Sequence, residues 1–377
     1  MSTFEVPIVT IKSVKKHPNA DSLDLIEFNE IAWVCVDKIN IRKPNDLVVY
    51  VPIDSEVEIS RLEFEFLKPR AKANGKARIR TIKLRGEISQ GLILDLPKDI
   101  MLWLCKKHEA EHPNPAGTEI NLIGQNVAEY FGITKYEPSE DNLTPNAAGS
   151  YPYWGIRSDA ERYENYNRNI EPYLDEDFFQ SVKVDGTSLS VFFDKYREEN
   201  PIGVCSRNLE IKPDDEGANK WTNELDRPKS TNIYWEAAIK YDLPEKVKLI
   251  AEELNISRLI IQAEIVGSGV QGNKLGLTNR EIRAFDIFNG DAFEFLPYQQ
   301  FIDLCKKYEI PTVEIINIAP IREMVKSNFK IIDIMTNPNG TPIEGIVFVA
   351  TIPRNVGKLG RLKFKKINPL FLLRYSD

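Results

Sequence analysis

The sequence predicts an α+β chain of two domains: a small closed β-barrel, then a domain of antiparallel sheets flanked by helices. Three observations carry this. Residues 6–97 read as short strands separated by turns, with no strong helical period. Residues 136–155 (YEPSEDNLTPNAAGSYPYWG) are rich in Pro, Asn, Ser and Gly, the composition of a linker. Beyond it, strand candidates alternate with turns around a stretch of helical spacing at 218–256. The expected boundaries are 1–135 for the barrel domain, 136–155 for the linker and 156–377 for the second domain. A chain of 377 residues suits two domains of about 150–200 residues each.

Each element has its own signal. VPIVTIKSV, SLDLIEF, IAWVCVDK, DLVVYVPI, ARIRTIKL and GLILDL read as strands of the barrel. HPNAD, RKPND and LRGEISQG read as the turns between them. IMLWLCKKHEAEH opens a helical segment after the barrel. In the second domain a polar, helix-like stretch (SDAERYENYNRNI) leads into a strand-like run, FFQSVKVDGTSLSVFF.

Composition narrows the function classes. Apolar residues make up 42% and charged residues 28%, ordinary for a globular chain with a sizeable core. No apolar run approaches the roughly 20 residues that span a bilayer. The start, MSTFEVPIVT, lacks a basic segment followed by an apolar one, so no secretory leader is expected. Four scattered cysteines without a C-x-x-C pair suit reduced thiols, and a cytoplasmic location is expected. The net charge of −7 conceals an uneven distribution: residues 61–85 carry nine Lys/Arg against two Glu, and 351–377 seven against one Asp. Basic patches on an acidic body suit an enzyme that handles nucleic acid and gathers divalent cations.

Chemistry concentrates in one ordered series. Lys183-Val184-Asp185-Gly186 places a lysine two residues before an Asp-Gly pair, an arrangement that presents an amine to the α-phosphate of a nucleotide. Downstream follow Ser206-Arg207-Asn208, Glu264, Ala284-Phe285-Asp286, Glu344-Gly345 and Lys363-Phe364-Lys365. A lysine nucleophile must be neutral, yet free lysine titrates near 10.4. Lys363 and Lys365 alternate along a strand and share a face. They are expected to favour the neutral form of Lys183 and to stabilise charge growing on the phosphate. Asp185, Glu264 and Glu344 are candidates to hold Mg²⁺ or Mn²⁺ through waters. Phe285 offers a face to a purine, and Arg207 a planar fork to phosphate or ribose. Cys105, His108 and His112 stand at C-x2-H-x3-H spacing, but with no fourth ligand they read as a charged helix surface. The aromatic run YPYWG at 151–155 reads as a linker packing onto a domain rather than as a base-stacking segment.

This series resembles the covalent nucleotidyltransferases, the superfamily of ATP-dependent ligases and mRNA capping enzymes. Within it, the chain resembles RNA ligases with an N-terminal oligonucleotide-binding (OB) barrel. In the barrel the resemblance rests on Lys16-His17-Pro18-Asn19-Ala20-Asp21, on Asp46–Tyr50, and on Arg78–Gly86 running to Ser89-Gln90-Gly91. In the second domain it adds Arg157-Ser158-Asp159 with Arg162 and Asn165, and the GSGVQGNKLG segment after Glu264.

The resemblance implies an ATP-dependent RNA ligase that joins 3′-hydroxyl and 5′-phosphate ends, with nicked or broken duplexes as the expected substrates. Lys183 would carry AMP, with Gly186 in the same nucleotide-binding turn. Arg207 would contact ribose or phosphate, Glu264 ribose or the metal's water shell, and Phe285 adenine. Asp185 and Glu344 would organise the metal, and Lys363 and Lys365 would contact the α-phosphate. Arg78, Arg80, Lys83 and Arg85 would bind RNA, with no membrane partner and a monomeric protein. Only twelve residues follow Lys365, so the N-terminal barrel is expected to serve strand binding. A DNA ligase or another lysyl-nucleotidyltransferase would use the same lysine. A non-catalytic RNA-binding protein built around the barrel is the alternative from another class.

Overall fold

A computed structural model describes residues 4–71, 74–111, 120–136, 147–213 and 232–375. The chain divides into two compact units. The first comprises Met1–Pro138, Tyr163–Glu171 and Pro369–Asp377, and the second Ser139–Arg162 and Pro172–Asn368.

The first unit is built on a five-stranded antiparallel sheet in the order Val34–Lys38, Leu23–Phe28, Ile8–Lys16, Leu47–Val51, Leu92–Asp95. Its apolar residues alternate between two cores. Ile8, Val49 and Val51 join Phe64, Leu104 and Phe131 on one side. Val9, Ile11, Val48 and Tyr50 join Ile26, Trp33 and Cys35 on the other. The run ARIRTIKL, expected as one strand, is two. Lys76–Arg78 pairs with Ser55–Glu58, and Thr81–Leu84 pairs with Glu87–Gln90. Between them Ile79 bonds through its N–H to Ser55 and through its carbonyl to Asp54 (both 2.8 Å), and the chain then changes partners. Such a partner change lets a small sheet curl toward closure.

The turn motifs of this unit hold that hairpin. His17 donates to the Leu84 carbonyl (3.0 Å), and Asn19 donates to the Arg85 carbonyl (3.0 Å). Tyr50 donates to the Gln90 carbonyl (2.9 Å). Gly91 is left-handed (φ 112°), and a Cβ there would lie 2.5 Å from the Tyr50 ring. The helix Tyr163–Ile170 packs in this unit as well, where Asn165 accepts from the Trp33 indole (2.8 Å). Asn165 thus serves the first unit's packing rather than the neighbourhood of Lys183.

The second unit contains two antiparallel-rich sheets. One has seven strands: Ala147–Ser150, Leu209–Ile211, Ile202–Cys205, Thr187–Asp194, Arg258–Val266, Glu281–Asn289, Glu294–Phe295. The other has five: Glu161–Arg162, Lys363–Ile367, Gly345–Ala350, Phe178–Lys183, Ile315–Ala319. Helices Ile233–Lys240, Leu243–Glu253 and Tyr298–Lys307 cover the larger sheet. Leu189, Val191, Leu259, Ile261 and Ala263 meet Trp235, Val247, Ile250 and Phe301 in its core, joined by Phe179 and Val349 of the smaller sheet. Asn232 caps the first of these helices by accepting from the Tyr234 N–H (2.9 Å). Part of the Pro/Asn-rich stretch expected to link the domains, Ala147–Ser150, is the edge strand of the larger sheet, and 137–146 lie outside the described residues.

The chain passes from the smaller sheet to the larger through Lys183–Thr187. That crossing is tight. A Cβ on Gly186 would lie 2.2 Å from the Ile265 carbonyl oxygen and 2.7 Å from Glu264 Cγ. Gly345 is equally confined: its Cβ would lie 2.2 Å from the Lys366 carbonyl oxygen. Glycine at these two positions lets backbone approach backbone beside Lys183 and Glu344. Gly186→Ala must push two strands apart and is expected to cost about 1–3 kcal/mol. Denaturant unfolding measures this, and an unchanged midpoint would show that the crossing is slack.

Candidate active site

Lys183 ends its strand, paired on one side with Gly345. Its Nζ donates to Glu344 Oε2 at 2.7 Å. Burial alone would lower the lysine's pKa, but Glu344, Glu264 and Asp185 outweigh burial and hold it above the ordinary value. This corrects the expectation from sequence. Lys363 and Lys365 do not make Lys183 neutral in this arrangement, because three carboxylates surround it more closely and keep it an ammonium.

Those carboxylates reach the site from separate elements. Asp185 stands in the crossing turn and pairs with Lys274 at 2.6 Å. Glu264 lies opposite Ser188 on the neighbouring strand. Glu344 immediately precedes the strand beside Lys183. Burial raises the Glu264 pKa to about 7, with repulsion from Glu344 and Asp185 adding to burial and Lys183 opposing it. Among the described residues no three acidic, histidine or cysteine side chains converge closely enough to form a metal cage. The expected trio is gathered, but two of its members are engaged by lysines. Mutual repulsion among hard oxygen donors nevertheless fits a divalent cation bound through water, which would relieve it.

The last strand brings the two remaining lysines to different partners. Lys363 is buried and donates to Ser158 Oγ and to Asp286 Oδ2, the latter at 3.0 Å. Arg361 bonds the same Asp286 oxygen at 2.7 Å, and Ser158 Oγ lies 2.5 Å from it. Burial opposes ionisation of Asp286, yet Lys363 and Arg361 hold its pKa below the usual range. Its other oxygen, Oδ1, is buried with no hydrogen-bond partner among the described residues. Lys365 lies nearer Lys183. Burial first, then Lys183 and Arg162, lower its pKa to about 8. Arg162 reaches that position because Glu161–Arg162 pairs in parallel with the last strand, Arg162 opposite Lys365.

Phe285 stands where the pairing of Arg258–Val266 with Glu281–Asn289 slips by one residue: Gln262 faces Asp286, and Ala263 faces Ala284. Such a bulge re-aims side chains. It leaves the Phe285 ring partly exposed, with Lys363 Nζ 5.5 Å from its centroid. Gln262 also fixes the segment before Lys183's strand, accepting from Ser158 N (2.7 Å) and donating to the Ile156 carbonyl (2.5 Å). Arg207, half exposed, pairs with Asp159 at 3.1 Å and acts electrostatically on Glu264. Arg157 donates to Asn208 Oδ1.

The structure therefore gathers Lys183, Asp185, Glu264, Glu344, Lys365 and Arg207, while Lys363 reaches them through Asp286 and Phe285. Reading the sequence alone assigned no specific role to Ser158, Arg162, Lys274 or Asp286. Ser158, Arg162 and Lys274 lay within quoted motifs, and Asp286 follows Phe285 directly; Arg361 stood only in the basic C-terminal segment.

The expected nucleic-acid residues divide. Arg78 is engaged within its own unit, paired with Asp54 at 2.6 Å and lying 4.3 Å from the Tyr136 ring centre. Arg80 is half-buried, whereas Lys83 and Arg85 are exposed on the hairpin. Cys105 and His108 lie on the helix Ile100–Glu111, and His112 lies outside the described residues. In the aromatic run, Trp154 is buried against Phe192 and Ile260, while Tyr153 is 87% exposed.

The RNA ligase family model matches residues 176–366, and an OB-fold domain model matches residues 6–96. Solved structures of Naegleria gruberi RNA ligase are similar over nearly the whole chain. A variant with ATP and Mn is 26% identical, with 99% of each chain covered and a TM-score of 0.75. The same enzyme with PPi is 26% identical, with 99% of this chain and 98% of that chain covered and a TM-score of 0.74. A variant with AMP and Mn is 27% identical, with 98% of each chain covered and a TM-score of 0.76. No curated protein matches the sequence significantly. The family match spans the crossing turn, all three carboxylates and both strand lysines, and the chain belongs to the RNA ligase family.

Proposed function

We propose that this RNA ligase uses ATP to join a 3′-hydroxyl to a 5′-phosphate through lysyl-AMP and RNA-adenylate intermediates. The observation that carries the reading is the Lys183 amine, fixed at a strand end 2.7 Å from Glu344 and within reach of two further carboxylates. Glu344 is placed to accept the proton that Lys183 must lose. The neutral Nζ then attacks the α-phosphorus of ATP; the new N–P bond replaces the P–O bond to the β-phosphate, and pyrophosphate leaves. AMP passes from Lys183 to an RNA 5′-phosphate, and a 3′-hydroxyl displaces it to leave a phosphodiester.

In the proposed reaction each residue has a role. Phe285 presents its ring to adenine, above Lys363. Lys365, cationic at neutral pH with a pKa of about 8, contacts the α-phosphate. Arg207 contacts ribose or phosphate. Asp185, Glu264 and Glu344 are the residues that would hold Mg²⁺ or Mn²⁺, whose charge would offset the negative charge that favours the protonated Lys183. Exposed Lys83 and Arg85 give the OB domain a salt-dependent grip on RNA ends in nicked or broken duplexes. The protein acts as a monomer in the cytoplasm, in keeping with four free cysteines of which Cys35, Cys205 and Cys305 are buried.

Lys183→Ala is expected to abolish transfer of label from α-³²P-ATP to the protein; labelling of that variant at the wild-type level would remove the basis of the proposal. The pH dependence of stability tests the carboxylate cluster. Glu264 is raised from 4.5 to about 7 on folding. Its contribution is therefore fully present below about pH 4.5 and is lost as pH rises through about 7. In metal-free protein, Glu264→Gln should raise the thermal midpoint more at pH 8 than at pH 5. Adding Mn²⁺ should narrow that difference; equal midpoint shifts at both pH values would mean that neither burial nor the neighbouring carboxylates disfavour the ionised Glu264. For the RNA grip, Lys83→Glu with Arg85→Glu should weaken RNA binding about tenfold or more at low salt and leave self-adenylation intact. Filter binding and labelling measured side by side decide this, and parallel loss of both would assign the hairpin to the nucleotide instead.

A further inference from the structure

One end of the seven-stranded sheet carries an exposed aromatic surface. Among the described residues four large aromatic side chains are exposed, and three of them, Tyr153, Tyr196 and Phe293, belong to this end. Strand register puts it there: Asp194 pairs with Arg258, and Leu259 with Asn289, so the turns after Asp194 and Asn289 flank the start of the Arg258 strand. Arg258 precedes Glu264 by six residues, about 20 Å at the rise of a strand. The surface is firmly built. Lys195 N–H bonds the Ser257 carbonyl (2.9 Å), Ser257 N–H the Asp291 carboxylate (2.6 Å), and Gly290 N–H the Arg258 carbonyl (2.8 Å). Beneath them buried Asp194 accepts from the Trp154 indole (2.9 Å), the Tyr196 N–H (3.0 Å) and Arg258 Nε (3.3 Å). The Arg258 guanidinium lies 4.8 Å from the centre of the Tyr196 ring and 5.7 Å from that of Tyr153, whose hydroxyl accepts from it at 3.2 Å. Phe293 is held in the left-handed region (φ 57°), costly for a bulky residue, with its ring 60% exposed.

Charge around the rings selects the partner. In the same turns Glu198, Glu199, Asp291 and Glu294 are exposed. The exposed cation of these turns is Lys195, Arg197 being paired with Glu210 at 3.0 Å. An acidic rim repels a phosphate backbone, whereas stacking platforms for single-stranded RNA lie in basic grooves. Aromatic faces beside carboxylates suit a guanidinium, which stacks on the one and forks to the other. Arg258, between Asp194 and Tyr196, already shows that arrangement within the fold. We propose that this end of the sheet docks an arginine-rich segment of a protein partner: its guanidinium groups stack on Tyr153, Tyr196 and Phe293 and pair with the rim carboxylates. Rings already ordered by the fold lose little freedom on binding, which favours the contact.

The probe is a short fluorescein-labelled peptide alternating arginine and glycine, titrated with the full-length protein and followed by anisotropy. Tyr153→Ala with Tyr196→Ala is expected to weaken binding about tenfold or more. Glu198→Gln with Glu199→Gln should weaken it too and flatten its salt dependence. Phe293→Asn supplies a residue that tolerates positive φ, and should weaken binding without lowering the melting temperature. A peptide with lysine in place of arginine should bind less tightly to the wild-type protein. Absence of peptide binding by the wild-type protein, or equal binding by the tyrosine double variant, overturns the proposal. So does a matching loss of RNA binding by that variant in a filter assay, which would give the surface to RNA. So does a wild-type dimer in sedimentation that the variant abolishes, which would give it to a second copy of the chain. The titration involves no nucleotide, so it decides the point even if the protein forms no lysyl-AMP.

Discussion

The second unit depends on a steric constraint at the crossing from one sheet to the other. Lys183 closes a strand of the smaller sheet, and Thr187 opens a strand of the larger one. Only three residues separate them, and the turn lies against the backbone of Ile265. A residue with a Cβ at position 186 would hold the two sheets apart. With glycine there, Lys183, Asp185 and Glu264 are brought into one electrostatic neighbourhood by backbone geometry alone. Gly345 does the same on the other flank, where close approach to the last strand sets Glu344 and Lys365 beside the same amine.

Charge balance follows from that crowding. The site is a set of ion pairs: Lys183 with Glu344, Lys274 with Asp185, Arg207 with Asp159, and Lys363 with Arg361 on Asp286. Each pair offsets part of the cost of gathering like charges in a partly buried space. Glu264 is buried, and burial first, then repulsion from Glu344 and Asp185 against the attraction of Lys183, raises its pKa to about 7. The arrangement resists deprotonation of Lys183. In the proposed reaction, positive charge from the nucleotide's counter-ions or a metal would favour loss of that proton.

The order of motifs along the chain was a sound guide to which residues meet. Asp185 and Gly186 are read from the same turn as Lys183, and the alternation of Lys363 and Lys365 places both on one strand face. What the alternation does not disclose is the neighbour on that face. Lys363 finds Asp286, because a one-residue slip between two strands rotates Asp286 and Phe285 relative to a regular ladder. A bulge of this kind depends on the partner strand, and no local pattern in AFDIF announces it. The same holds for Arg78, whose place in a basic run suggested RNA but whose side chain is taken by Asp54 and Tyr136. Asn165 likewise stands ahead of Lys183 in sequence and packs on Trp33 in the other unit.

By itself the sequence determined the two-part α+β architecture, the identity of the lysine expected to carry the nucleotide, and the set of carboxylates and lysines around it. These are legible because strand alternation, turn glycines and short motifs are properties of neighbouring residues. The tertiary structure decided the protonation of Lys183, the division of labour between Lys363 and Lys365, and the presence of Lys274 at Asp185. Those outcomes depend on distances between charges on separate elements, and Coulomb interactions in a partly buried space change more with a few ångströms of placement than with residue type.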